Sequence, residues 1–306
     1  MKQRALPHPW SVEYQAFMVE TMPGVCRFMH RWQPVGVQPS ACLTIFHGLG
    51  DHGERFSGIA NSIASSGVAV MAVDLPGHGR SPGRRGTIKS YDSLMDEVGN
   101  TVYFATRSVP NVPVFVLGQS MGGNLVLNWT LRRPFEAKSI NGLVAIAPML
   151  RMGKMPGEKF LQVGRWLSQR LPNLRLTTPV NVEQLCNDRG GQDAYLQDPW
   201  VHRKMSLLLG QSLLDSGQWA LENAHLLNKP TLLMHGCDDT LTSPAATEQM
   251  AVASSEVSTL KLWPECKHDL HFELQRETII TYLVSWMQQQ MKPTPAKSNV
   301  VSRRAA

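Results

Sequence analysis

One serine is framed by glycines in Gly118-Gln119-Ser120-Met121-Gly122-Gly123, directly after the apolar run Val112–Leu117 and before a stretch with helical spacing through Leu125, Val126 and Trp129. A serine does chemistry only if the chain lifts its hydroxyl clear, and a sharp strand-to-helix turn does that. Glycines let the two backbones pack closely, and the serine lands at a helix N-terminus, where N–H groups favour developing negative charge. A glycine-rich turn with serine as a helix cap has the same local sequence. The strand before and the helix after make Ser120 a candidate nucleophile.

A hydroxyl nucleophile needs a general base, and the base needs a carboxylate to hold its tautomer. Both residue types follow, in the order serine, aspartate, histidine. After the apolar run Thr231–Met234 comes His235-Gly236-Cys237-Asp238-Asp239-Thr240-Leu241, and after Thr259–Trp263 comes Pro264-Glu265-Cys266-Lys267-His268-Asp269-Leu270-His271. Spacing alone leaves two choices open: Asp238 or Asp239 as the acid, and His268 or His271 as the base. A third loop, His47-Gly48-Leu49-Gly50-Asp51-His52-Gly53, also follows a strand candidate. It is placed to give an oxyanion N–H from Leu49, beside that of Met121. Gly48, Gly50 and Gly53 also spell a dinucleotide-binding fingerprint, with Asp74 at the next strand end. A dinucleotide-dependent oxidoreductase is therefore the remote alternative, but it leaves the Ser120 turn and the two later loops unexplained.

These loops need a scaffold that brings distant segments to one edge. Strand candidates Cys42–Phe46, Val68–Val73, Val112–Leu117, Leu143–Ala147, Thr231–Met234 and Thr259–Trp263 alternate with helical patterns. One such pattern puts Phe56, Ile59, Ile63 and Ala64 on a single face and is closed by Gly67. The alternation predicts an α/β fold with a mostly parallel central sheet flanked by helices, its loops converging at the carboxyl edge. Between about Leu150 and Ala224 it fails, giving way to helices and irregular loops such as Phe160–Leu171 and Met205–Leu214. The expected organisation is a core in two parts, residues 1–149 and 225–291, a helical lid (cap) inserted at 150–224, and a disordered basic tail at 292–306. Met149, Met152, Met155, Phe160, Trp166, Leu167 and the run Leu207–Leu209 make the insertion too apolar for an exposed linker.

Charge narrows the partners. The net charge of +6 is matched by Lys2, Arg4, Lys292, Lys297, Arg303 and Arg304 at the two ends, so the body between is formally neutral. A basic stripe for nucleic acid is not expected, whereas contact of the basic ends or the lid with a membrane surface is allowed. No apolar run approaches the roughly 18 residues of a membrane span, and the N-terminus lacks the apolar core of a signal peptide. Five scattered cysteines form no CxxC pair, which implies free thiols rather than a disulfide framework or a zinc site. The expected location is cytoplasmic, at most peripheral to a membrane.

Together these residues resemble the monoacylglycerol lipase and lysophospholipase branch of the α/β hydrolases (serine aminopeptidase-like hydrolases), over roughly residues 23 to 290. The likeness rests on His47-Gly48-Leu49-Gly50-Asp51-His52 with Arg55-Phe56, on Asp74-Leu75-Pro76-Gly77-His78-Gly79-Arg80-Ser81, on Gly118–Gly123, on Asp198-Pro199 and on His268-Asp269-Leu270-His271-Phe272-Glu273. The resemblance implies the α/β-hydrolase fold, Asp239 as the acid, His268 as the base and Leu49 with Met121 as oxyanion donors. It implies hydrolysis of a lipid-like ester, a monoacylglycerol or lysophospholipid, with no cofactor, no metal and no obligate protein partner. Short-chain esterase, thioesterase and peptidase are the rivals within this chemistry, and a non-catalytic binding protein is the rival outside it. One departure stands out: the family usually has histidine before the nucleophile, where this chain has Gln119. Since that side chain is no member of the triad, the chemistry is expected to survive the change.

Overall fold

Runs that are apolar at every position make strands buried on both faces, and such runs form the centre of this sheet. The computed structural model describes residues 10–291; the predicted disordered tail at 292–306 lies outside the described residues. Ten strands occur among the described residues: β1 (Val12–Met22), β2 (Val25–Pro34), β3 (Ala41–Phe46), β4 (Val68–Val73), β5 (Val114–Gln119), β6 (Gly142–Ile146), β7 (Arg175–Thr177), β8 (Lys204–Ser206), β9 (Thr231–Gly236) and β10 (Ser258–Trp263). Eight form one sheet in the order β1-β2-β4-β3-β5-β6-β9-β10. From β4 to β10 all neighbours are parallel, while β1 and β2 add an antiparallel edge.

Side chains alternate across the sheet and build two cores. Val114 and Val116 of β5 point to one face and Phe115 and Leu117 to the other. The first face is covered by α2 (Tyr91–Ser108), α3 (Met121–Arg132), α6 (Leu207–Glu222) and α7 (Pro244–Ala253), the second by α1 (Ser57–Ser65) and α8 (Arg276–Met291). Between β6 and α6 the chain leaves the sheet for α4 (Glu158–Arg170), the antiparallel pair β7–β8 and α5 (Arg189–Gln197). This is the α/β-hydrolase architecture with helical insertions. Helix α6 packs along α3: Asn124 Nδ2 donates to the Leu213 carbonyl at 3.3 Å and Asn128 Nδ2 to that of Ser216 at 3.2 Å. Among the described residues no helix is long and apolar enough to cross a membrane.

The strand order reverses between β3 and β5, which lie side by side with Phe46 opposite Gly118. Crevices open at such a reversal, outside the carboxyl ends of the strands. The loop after β3 carries His47 to His52, and the turn after β5 carries Ser120.

Candidate active site

Every residue of β5 is buried, and the strand ends where Ser120 takes φ 54° and ψ −113°. A non-glycine residue held there costs about 1–3 kcal/mol and persists only where its surroundings enforce it. The surroundings are visible. Ser120 N–H donates to the Ile146 carbonyl at 2.9 Å, and its carbonyl accepts from Asn124 N at 2.9 Å and Met149 N at 3.0 Å. The glycines are the other half of the explanation. A Cβ at Gly118 would overlap the Gly122 carbonyl, and one at Gly122 would overlap that of Phe46. Ser120 holds the N-cap position of α3, yet its side chain makes no capping bond. The hydroxyl is therefore not spent on the helix, which removes the main structural reason for a serine here.

Asp239 and His268 come together. Asp239 Oδ2 accepts from His268 Nδ1 at 2.7 Å, from His235 Nε2 at 2.9 Å and from Thr242 Oγ1 at 2.7 Å. Its Oδ1 accepts from Leu241 N at 2.7 Å and Thr242 N at 3.1 Å. Burial pushes this carboxyl up, but the charge of His268 and hydrogen bonds from His235 and His268 outweigh it and hold the group well below the usual carboxylate range. The sign is opposite for His268. Burial pulls His268 down, and the charge and hydrogen bond of Asp239 lift it to about 8. With Nδ1–H given to Asp239, Nε2 is the atom left for proton transfer. The other member of each pair sits elsewhere. Asp238 is exposed and its N–H bonds the Cys266 carbonyl. His271 is buried and stacked on Phe56, 4.4 Å between centroids, with burial driving it down to about 3.

The third loop lies against the serine. A Cβ on Gly48 would fall 3.3 Å from Ser120 Cβ, so this loop and the Ser120 turn form one wall. His47 shapes the loop from within, Nδ1 donating to the Gly48 carbonyl at 2.8 Å and Nε2 accepting from Leu75 N at 3.0 Å. Gly50 has φ +77°, and its carbonyl accepts from His202 N at 2.9 Å. His52 Nε2 meets Asp198 Oδ2 at 2.8 Å, which ties the inserted segment to the same loop. Leu49 lies between these anchors, and Met121 opens α3, where first-turn N–H groups have no intrahelical acceptor.

Asp74 does not serve a dinucleotide. It is fully buried, and its oxygens accept from Gly53 N at 2.7 Å, His30 Nε2 at 3.1 Å and Arg80 N at 2.8 Å. His30, His52 and Asp74 offer atoms within 4.8 Å of one another. Those atoms are already engaged by protein partners, Asp198 among them, so the knot fits an internal network better than a ligand set for a metal.

Two features escape the sequence reading. His235, four residues before Asp239, gives that carboxylate a second imidazole and is steadied by Thr247 Oγ1 at 2.8 Å. Its signal is present in the sequence, a histidine one residue before the end of the strand that leads to Asp239. The other is a hydrogen bond from Gln119 Nε2 to Asp269 Oδ1 at 2.9 Å, across 150 residues of sequence. No spacing rule announces such a contact.

Comparison with known proteins shows the family and the fold. A family model described as serine aminopeptidase, S33, matches residues 37–275. The chain is 30% identical over 274 residues to human monoglyceride lipase, covering 88% of this chain and 89% of that protein. It is also 30% identical over 267 residues to an uncharacterized abhydrolase domain-containing protein of Dictyostelium discoideum, covering 86% of this chain but 28% of that larger one. A solved structure of a soluble variant of monoglyceride lipase from Saccharomyces cerevisiae, in complex with a substrate analog, superimposes with a TM-score of 0.80. It is 19% identical and covers 95% of this chain and 99% of that one.

Proposed function

The chain belongs to the serine aminopeptidase S33 family, and on that premise we propose that it hydrolyses the carboxylic ester of a monoacylglycerol or lysophospholipid through an acyl-enzyme on Ser120. The observation that carries this is the Asp239–His268 pair, 2.7 Å apart, at the same sheet edge as the strained Ser120 turn. His268 Nε2 takes the Ser120 proton as Oγ attacks the ester carbonyl, and Asp239 holds the imidazole in its tautomer. Leu49 and Met121 N–H groups receive the oxyanion. His268 then returns the proton to the departing alcohol, and water repeats the sequence to release the fatty acid. Five free thiols support a reducing compartment such as the cytoplasm.

The insertion is proposed as a lid that holds the acyl chain. What supports a lid of about 150–206, narrower than 150–224, is α6: its Leu209, Leu213, Ala220 and Leu221 belong to the sheet's own core. Each acyl methylene transferred from water is worth about 0.8 kcal/mol, roughly fourfold in affinity. Specificity, kcat/KM, is therefore expected to climb as acyl chains lengthen from two carbons toward sixteen, until the pocket is filled. A flat profile, or one peaking at acetate, would replace the lipid reading with a short-chain esterase.

The same lid has the surface to meet the aggregate that supplies such a substrate. Phe160, Val163 and Trp166 of α4 are 70%, 55% and 54% exposed. In sequence Lys154, Lys159, Arg165 and Arg170 flank them with Glu158 as the acid of that stretch, and Arg165 is paired with Asp215 at 3.1 Å. An apolar stripe with cationic flanks suits an anionic lipid surface. Co-sedimentation with vesicles containing phosphatidylglycerol should exceed that with neutral vesicles, and Phe160→Ser with Trp166→Ser should abolish the excess. Equal sedimentation of the native and doubly substituted proteins removes this part of the reading.

A further inference from the structure

Gln119 is the last residue of β5 and the direct neighbour of Ser120, and it is 2% exposed. A buried amide at this point must be satisfied from within the protein. It is satisfied across the site: Nε2 donates to Oδ1 of Asp269 at 2.9 Å, and Asp269 is the direct neighbour of His268. Its other end lies on the oxyanion loop, where a Cβ at Gly48 would come 2.5 Å from Oε1. One side chain thus touches the loop after β3, adjoins Ser120 and grips the loop after β10. Asp269 is held from a second direction as well, its N–H donating to the Leu185 carbonyl at 2.7 Å.

The bond has a consequence for the base. Asp239 fixes one nitrogen of His268 and hence its tautomer, but the distance from Nε2 to Ser120 Oγ depends on where the 268–269 backbone sits. That backbone is joined to the Ser120 turn through Gln119 and Asp269. A misplacement of about 1 Å costs on the order of a hundredfold in rate. Packing alone would be served by an apolar side chain of the same length. A donor aimed at the carboxyl beside the base gives the two reacting loops a common coordinate.

We propose that Gln119 is a positioning residue, whose hydrogen bond to Asp269 sets the separation between the Ser120 nucleophile and the His268 base. The proposal rests on the assignment of Ser120 and His268 made above. Asp269 faces His268, Asp51, Arg55 and Asp239, and the inserted segment brings Cys186 and Tyr195 near it. Arg55 Nε lies 2.8 Å from Asp51 Oδ1, while the side-chain hydrogen bond to Asp269 Oδ1 comes from the Gln119 amide at 2.9 Å.

Gln119→Met keeps length and removes the donor. With a soluble ester it should lower kcat about ten- to a hundredfold at little-changed KM, with melting within a few degrees of the native protein. Asp269→Leu should lose as much, the double variant no more than either, and Asp269→Asn, which keeps an acceptor, should recover most of the loss. Gln119→Glu supplies a readout that packing does not move. The introduced carboxyl and that of Asp269 share a proton at low pH and repel once both ionise, so rate should fall again on the alkaline side. The native protein should instead rise to a plateau as His268 loses its proton near pH 8. Should Gln119→Met fail to fold, the Gln119→Glu profile and the Asp269 pair decide. A kcat for Gln119→Met within twofold of native, losses that add in the double variant, or a plateau retained by Gln119→Glu would each overturn the proposal. Fluorophosphonate labelling of the native protein at a residue other than Ser120 would instead defeat the assignment beneath it.

Discussion

Ser120→Ala is expected to lower kcat for ester hydrolysis by roughly four to six orders of magnitude, leaving only what the oxyanion donors and substrate binding supply. The fold should survive. Alanine keeps the Cβ, so the strain at φ 54° is neither relieved nor worsened. The backbone bonds to Ile146, Asn124 and Met149 remain. Because the native hydroxyl makes no capping bond to α3, the usual penalty of about 1 kcal/mol for removing a serine cap does not arise. Measured kcat with a p-nitrophenyl ester, circular dichroism and fluorophosphonate labelling check the three parts separately. A variant that keeps a tenth of native turnover would remove Ser120 from the mechanism, and one that melts far below the native protein would mean the hydroxyl is structural after all.

How much of the fold can be read beforehand follows from how each element is buried. Strand β4 runs Val68–Val73, the run expected from sequence, because a parallel strand covered on both faces is apolar at every position. The apolar run at β5 begins and ends two residues before the strand does. Pro113 has no N–H to give a ladder, and the strand continues through Gly118 and Gln119 into the site. The β1–β2 hairpin carries no such run, although Pro23-Gly24 turns it and Gly24 has φ +76°. At an edge, polar residues open to solvent, such as the exposed Glu13 and Glu20 and the half-buried Gln15, interrupt the apolar pattern that marks the inner strands. Helix α2 is hidden for a similar reason: Leu94, Met95, Val98 and Val102 make its buried stripe among Asp92, Asp96, Glu97 and Asn100. The site loops are legible because chemistry restricts residue type and the fold restricts their order. Gln119, no triad member, carries no chemical signal in the sequence, and only the three-dimensional contact with Asp269 gives it a role to test.

The two loops with paired candidates give the second large expected effect. Asp239→Asn should cost about 10⁴ in kcat, about 5.5 kcal/mol of barrier, while Asp238→Asn should stay within about twofold. The difference follows from surroundings. Asp239 is a buried acceptor for five hydrogen bonds, and an asparagine there turns an N–H₂ toward some of those donors and favours the wrong imidazole tautomer. Asp238 points into solvent. The pH profile adds a signed test. Native kcat/KM should rise through about pH 8 as His268 becomes a free base. The negative charge of Asp239 helps lift that value against burial, so in Asp239→Asn the acid limb should move to lower pH even as the plateau collapses. His268→Ala should be as damaging as Ser120→Ala, and adding it to Ser120→Ala should cost little more, because the two act as a unit. His271→Ala removes a ring stacked on Phe56, so its cost should fall on melting temperature through the cavity it leaves, with turnover kept within about tenfold. Equal losses from Asp238→Asn and Asp239→Asn, or an acid limb that stays near pH 8 without the Asp239 charge, would detach the carboxylate from the base it is assigned to hold.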